Sequence, residues 1–223
     1  MKKPFVIAID GASSTGNSTL AKGLAKALGF VHVDSGAMYR GVTLYAQQHG
    51  LLENKKLKTE ILLSQLDDIH LRFEGDTFWL NGVDVSAEIR SMQVSEAVSL
   101  VAAIPEVRTF LVAQQRIMGA NQSVVMDGRD IGTVVFPKAD LKLFLTADVN
   151  IRAQRRFDEL SAQNASTSVE EVRNNLAERD HLDSTRADSP LVQAADAVPL
   201  DATQFTIESM REHVLDLVAE YLN

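Results

Sequence analysis

The chain has 223 residues, 45% of them hydrophobic, which is enough for one core with a small insertion and too little for two full domains. Against 22 basic residues stand 30 acidic ones, and the formal net charge of −8 excludes the broad basic surface that a nucleic-acid partner demands. With no cysteine present, disulfides, thiolate metal sites and thiol nucleophiles are excluded, and a reducing cytoplasmic setting is expected.

The first apolar run, residues 5–10, is broken at Asp10 and is followed by no cleavage pattern of a secretory signal, and no stretch approaches the length needed to cross a bilayer. The run reads as a strand. It feeds Gly11-Ala12-Ser13-Ser14-Thr15-Gly16-Asn17-Ser18-Thr19, which has the frame of the phosphate-binding loop G-x-x-x-x-G-K-[ST]. A helix follows, with Leu20, Leu24 and Leu28 on one face. In such a loop the backbone N–H groups and the helix N-terminus hold phosphate, and Ser18 falls where a hydroxyl joins the coordination of Mg²⁺. Asn17 occupies the lysine position. It supplies a neutral amide in place of a full charge, on a side chain two bonds shorter, a loss of reach of about 2.5 Å at bond lengths of roughly 1.5 Å.

Val31-His32-Val33-Asp34 is the second expected strand, and Asp34-Ser35-Gly36-Ala37-Met38-Tyr39-Arg40 leads from it into a helix. This heptapeptide suits two readings equally: a capped helix start with a surface arginine, or a serine and an arginine holding a second phosphate. Between about residues 67 and 92 the period changes to an antiparallel meander, with turns at Glu74-Gly75-Asp76 and Asn81-Gly82, read as a small β-rich insertion. Residues 124–127, 141–145 and 197–200 complete five strands, which alternate with helical patterns as in a parallel sheet flanked by helices. Three strands end in aspartate, Asp10, Asp34 and Asp127, at the edge of the sheet where ligands collect, and suit Mg²⁺ or ribose hydroxyls. After the third, Arg129 is placed to clamp phosphate while Asp127 orients Mg²⁺ through water. The five histidines, His32, His49, His70, His181 and His213, show no metal-ligand spacing and read as ordinary surface or core residues.

After Leu143 the chain uses seven arginines and no lysine, six of them at Arg152, Arg155, Arg156, Arg173, Arg179 and Arg186. The bias favours bidentate contacts to phosphate oxygens, as a lid closing over nucleotides needs; a salt-bridged helix surface is the other reading. The last segment, with Ile207, Met210, Val214, Leu217, Val218 and Tyr221, is an amphipathic helix expected to pack on the sheet.

Taken in order, the phosphate loop, DSGAMYR, the β-rich insertion, DGRDIGTVVFP, ERDHLDSTR and the terminal helix make the chain closely similar to bacterial cytidylate kinases, a branch of the P-loop nucleoside monophosphate kinases. The resemblance implies one kinase domain over residues 1–223: a core of about 1–34, 100–150 and 190–223, a CMP-binding region with the β insertion at about 35–99, and a helical lid at about 151–189. It implies phosphorylation of CMP and dCMP by ATP with Mg²⁺, a monomer, and a cytoplasmic location. Carried over by position, Ser35, Arg40, Arg129 and Arg186 approach the acceptor phosphate, Ser99, Arg108 and Asp130 surround the cytosine, and Asp183 meets the ribose. Arg179 reaches the transferring phosphoryl group, Arg155 and Arg156 lie near the donor, and Ser18 and Asp127 serve the metal. Asn17, Arg129, Arg179 and Arg186 then form the catalytic set, with the missing lysine costing roughly 2–4 kcal/mol, about 10²–10³ in rate. Leu182 and Ser184 make this lid less basic than other versions of the motif. Other readings are a nucleotide-binding protein with weak or no turnover, or a kinase of another small acceptor such as UMP, AMP, shikimate or gluconate.

Overall fold

The computed structural model of the chain describes residues 3–54, 56–162 and 167–222, so residues 163–166 of the expected lid lie outside the described residues. Two compact units emerge, one from residues 1–33 with 118–223 and one from residues 34–117.

In chain order the elements are β1 (Val6–Gly11), α1 (Asn17–Leu28), β2 (Val31–Asp34), α2 (Ser35–Gln48), the short pair β3 (Leu52–Glu53) and β4 (Lys56–Leu57), and α3 (Thr59–Ser64). The three-stranded meander β5 (Leu71–Glu74), β6 (Thr77–Leu80) and β7 (Val83–Asp84) precedes α4 (Met92–Ala102) and α5 (Pro105–Ala120). Then come β8 (Val124–Gly128), β9 (Leu141–Thr146), α6 (Val149–Ala162), α7 (Val169–Thr185), β10 (Val198–Asp201) and α8 (Ile207–Leu222).

The main sheet is parallel, in the order β10-β9-β1-β8-β2. Every residue of β1 is buried, as expected of a central strand covered on both faces, where an unbroken apolar run replaces alternation. On one side Ile7, Ile9, Val125, Leu141, Leu143, Leu145 and Leu200 pack with Leu20 and Leu24 of α1 and Met210, Val214 and Val218 of α8. The terminal helix thus packs as its apolar stripe predicts, with a correction at its ends: Ile207 is 53% and Tyr221 51% exposed. In the second unit β5, β6 and β7 pair antiparallel. Asn81 and Gly82 join β6 to β7, both at positive φ, the backbone of a two-residue type I′ turn.

The ends of β1 and β8 are tied together through a carboxylate. Asp10, 4% exposed, accepts the N–H of Ile131 at Oδ1 and of Gly132 at Oδ2, each at 2.7 Å. Those residues open a single π-helical turn, Ile131–Val135, in which Asp130 C=O accepts from the N–H groups of Val134 and Val135. Asp10 is therefore spent on main chain rather than held out for a metal or a ribose. Burial pushes its carboxyl up to about 7; the two N–H groups pull it down, nearby Asp130 raises it and Arg129 lowers it.

Two outcomes follow from this packing. Met210→Ala should lose about 2–5 kcal/mol of stability in urea denaturation, whereas Ile207→Ala on the same helix should stay within about 0.5 kcal/mol of the unaltered protein. For Asp10, the folded state keeps a proton between the unfolded value of 3.8 and about 7 that the unfolded chain releases. Its contribution to stability is then greatest below 3.8 and declines as the pH rises toward 7. A ¹³C NMR titration of the Asp10 carboxyl should show a midpoint near 7.

Candidate active site

The phosphate loop sits between the end of β1 and the start of α1, and its backbone explains its residues. Gly11 lies so close to the neighbouring strand that a Cβ there would meet Leu145 O at 2.5 Å, and Gly16 holds φ +104°, in the region that favours glycine. Gly16 is also the N-cap of α1 and carries no side-chain cap, so the positive end of the helix dipole is left to other anions.

Asn17 does not reach out of this loop. Its side chain is buried, with Nδ2 donating to Gly11 C=O at 3.0 Å and Oδ1 facing the Thr15 hydroxyl at 2.8 Å. That hydroxyl lies equally close to Ala12 C=O, and its one proton serves one of the two acceptors. The amide thus braces the loop from inside, where a lysine would extend toward phosphate.

Ser18, one residue on, donates to Oδ2 of Asp127 at 2.5 Å, and the other carboxylate oxygen lies 2.8 Å from His32 Nε2. Asp127 is 4% exposed at the end of β8, and His32 comes from β2. Ser18 and Asp127, each expected separately to serve a metal, are thus in contact with one another. The histidine is an addition that the sequence reading treats as ordinary.

Guanidinium groups from α6 meet the loop from another side. Arg155 donates to Ala202 C=O at 3.2 Å and lies 3.5 Å from Thr15 C=O. Arg152, given no site role in the sequence, is buried; it donates to Ser13 C=O at 3.1 Å and pairs with Asp180 of α7 at 2.7 Å. Nothing in the R-x-x-R-R spacing separates Arg152 from its neighbours. Arg156 instead pairs with Glu159 on its own helix at 3.0 Å. Arg179 lies on α7, next to Asp180.

A second cluster in the same unit gathers Asp183, Arg129 and Arg186. Asp183, 5% exposed, accepts from Arg129 Nε at 2.9 Å and lies 3.7 Å from Arg186 Nη1, while Arg186 also donates to Ser189 C=O. Asp183 thus holds two guanidinium groups, a residue type suited to bidentate contact with phosphate, in one place. Asp130 is buried beside Arg129 at the start of the π turn.

In the second unit Asp34 caps α2 by accepting Ala37 N–H at 2.8 Å, and its other oxygen takes Arg40 Nη2 at 2.8 Å. The heptapeptide is therefore a capped helix whose arginine is anchored at the helix start. Ser35 is buried as the first residue of that helix, and Ser99 lies half-buried on α4. Arg108, 2% exposed, donates to Ala102 C=O at 3.1 Å and lies 5.3 Å from the centre of the Tyr39 ring. Tyr39 is a contact that the motif alone does not disclose.

Residues 7–220 match the family model of cytidylate kinase. The chain is 52% identical to a cytidylate kinase of Parabacteroides distasonis, covering 96% of each chain. It is 50% identical to one of Flavobacterium psychrophilum, covering 97% of this chain and 98% of that one. A solved structure of an uncharacterised protein from Eubacterium ventriosum shares the fold with a TM-score of 0.53 at 12% identity, over 98% of this chain and 99% of that one. With the family model spanning both units, and relatives of this identity matched over almost their full lengths, the chain belongs to the cytidylate kinase family.

Proposed function

We propose that the protein transfers the γ-phosphate of ATP to CMP or dCMP, at a rate reduced by Asn17. The observation that carries the reading is the full-length family match combined with a phosphate loop that differs from the motif only at the lysine position. The acceptor is a phosphate already ionised near neutral pH, so no general base is required. Catalysis reduces to alignment of the two reactants and to neutralising charge on the passing phosphoryl group.

The donor side suits Mg²⁺ in its chemistry: a hydroxyl and a carboxylate, Ser18 and Asp127, are hard oxygen groups of the kind that complete a coordination sphere built mainly from phosphate and water. Among the described residues no cluster of three or more His, Cys, Asp or Glu could hold a metal by itself. When bound, the cation would be held in part by Ser18 and Asp127 and would offset charge on the donor phosphates.

The protein's own groups do the rest. Loop amides and the α1 N-terminus hold the donor phosphates, Arg155 and Arg156 sit on the donor side, and Arg179 offsets charge on the group in flight. Arg129 and Arg186, with Ser35 and Arg40, bind the acceptor phosphate; Asp183 positions both arginines as well as meeting the ribose. Ser99, Arg108 and Asp130 read the base. A carboxylate at Asp130 accepts from the cytosine amino group and would face a carbonyl in uracil, which sets the preference for cytosine. The reading includes a cytoplasmic monomer with no nucleic-acid partner; among the described residues no helix is long and apolar enough to cross a membrane.

The inward-turned amide of Asn17 favours one other reading, a protein that binds nucleotide with little turnover. Steady-state turnover of CMP, dCMP, UMP and AMP with ATP and Mg²⁺ separates the two, measured on the unaltered protein and on Asn17→Lys. Preference for CMP and dCMP, with kcat raised about 10²–10³-fold by the lysine, is expected. Asn17→Lys should also lose about 1 kcal/mol of stability as the internal brace is removed. Tight ATP binding without turnover in either protein would support the second reading, and a preference for UMP or AMP would overturn the acceptor assignment.

A further inference from the structure

We propose that His32 is a positioning residue for the divalent cation that accompanies the donor nucleotide, a role resting on the kinase reading above and extending it. His32 Nε2 lies 2.8 Å from Asp127 Oδ1, and the Ser18 hydroxyl donates to Oδ2 at 2.5 Å. A carboxylate can only accept, so Nε2 carries the proton in this contact. The side chains are 16% and 6% exposed, so the pair sits largely out of bulk water.

Three steps connect the imidazole to the metal. First, His32 and Ser18 occupy different oxygens of Asp127, which fixes the carboxylate against rotation about its Cβ–Cγ bond. Second, the fixed carboxylate accepts the hydrogen bond of the Ser18 hydroxyl, which turns that oxygen's lone pairs outward to offer a cation. Third, Ser18 lies in the first turn of α1, immediately after the loop that holds phosphate, so its oxygen is presented where a nucleotide-bound cation would arrive. Partners of this kind behind metal-binding groups set ligand orientation, and their loss typically costs 10- to 100-fold in metal affinity.

The measurement is isothermal titration with ATP, once in excess Mg²⁺ and once in EDTA, on the unaltered protein, His32→Leu, His32→Gln, His32→Asn and Ser18→Ala. His32→Leu should weaken ATP binding about tenfold or more in Mg²⁺ and less than twofold in EDTA. Glutamine places an amide N–H the same number of bonds from the backbone as Nε2 and should restore most of the loss; asparagine, one bond shorter, should not. Should His32→Leu fail to fold, the glutamine and asparagine variants carry the same comparison. Equal losses with and without Mg²⁺ would reduce His32 to general packing, and an unchanged Mg²⁺ titration in His32→Leu and His32→Asn would remove its role altogether; either result overturns the proposal while leaving the kinase reading intact. If the unaltered protein and Ser18→Ala both bind ATP identically in Mg²⁺ and EDTA, the donor-site reading itself falls, and this proposal with it.

Discussion

Two buried carboxylates at the ends of adjacent parallel strands carry the organisation of the C-terminal end of the sheet. The register pairs Ile9 with Asp127 and Asp10 with Gly128, so the two aspartates stand one step apart along the strands. Because side chains alternate with a period of two, that single step sends them to opposite faces. Asp10 is thereby available to the main chain of Ile131 and Gly132, and Asp127 to Ser18 and His32. One carboxylate shapes the turn that follows Arg129 and Asp130, while the other orients the first turn of α1. Slipping the pairing of β1 with β8 by one residue, so that Asp10 faced Asp127, would put both carboxylates on one face and take one of them from its partners.

The phosphate loop shows how a binding feature and a catalytic one separate physically. Its curl depends on the close approach at Gly11, the left-handed backbone at Gly16 and the internal hydrogen bonds of Asn17 and Thr15, none of which needs a cation. The charge that a lysine would bring is a different property, acting on bound phosphate and most strongly where negative charge develops in the transition state. Asn17 supports the curl and brings no charge. Nearby guanidinium groups do not simply replace the lysine, since Arg152 is already divided between Ser13 C=O and Asp180, and Arg155 is directed at main-chain carbonyls.

Much of this was legible in the residues themselves. The five strands could be read because each is a short apolar run bounded by a glycine, an aspartate or a helical pattern, and the meander because its two turns have strong signals. The β3–β4 pair escaped because strands of two residues contain no alternation to detect. Ile207 and Tyr221 were expected in the core because apolar spacing marks a helix face but does not say how far the surface beneath it extends. The absent charge at position 17 was visible, but the inward turn of its amide was not, since that depends on how the loop closes on itself. His32 carries no such signal for a related reason: metal-ligand spacing is a local test, and its partner Asp127 is 95 residues away. Asp10 was legible as an acid at a strand end, whereas its commitment to backbone N–H groups arises from residues 121 and 122 positions further on.

The charge distribution brings these pieces into one argument. A chain with a net charge of −8 must concentrate its cations to hold polyanionic nucleotides, and here several of them are fixed by carboxylates or carbonyls rather than left loose. Arg129 and Arg186 share Asp183, Arg40 is bound to Asp34, and Arg108 is buried over Tyr39. A guanidinium held this way keeps its charge, since its pKa lies far above neutrality, and gives up side-chain freedom before any ligand arrives. The carboxylate beside it lowers the net attraction for phosphate but removes much of the ordering cost on binding. On the proposed reading, fixed, partly neutralised arginines favour discrimination by position over raw affinity, which suits an enzyme that must admit one phosphate, align it and release it again.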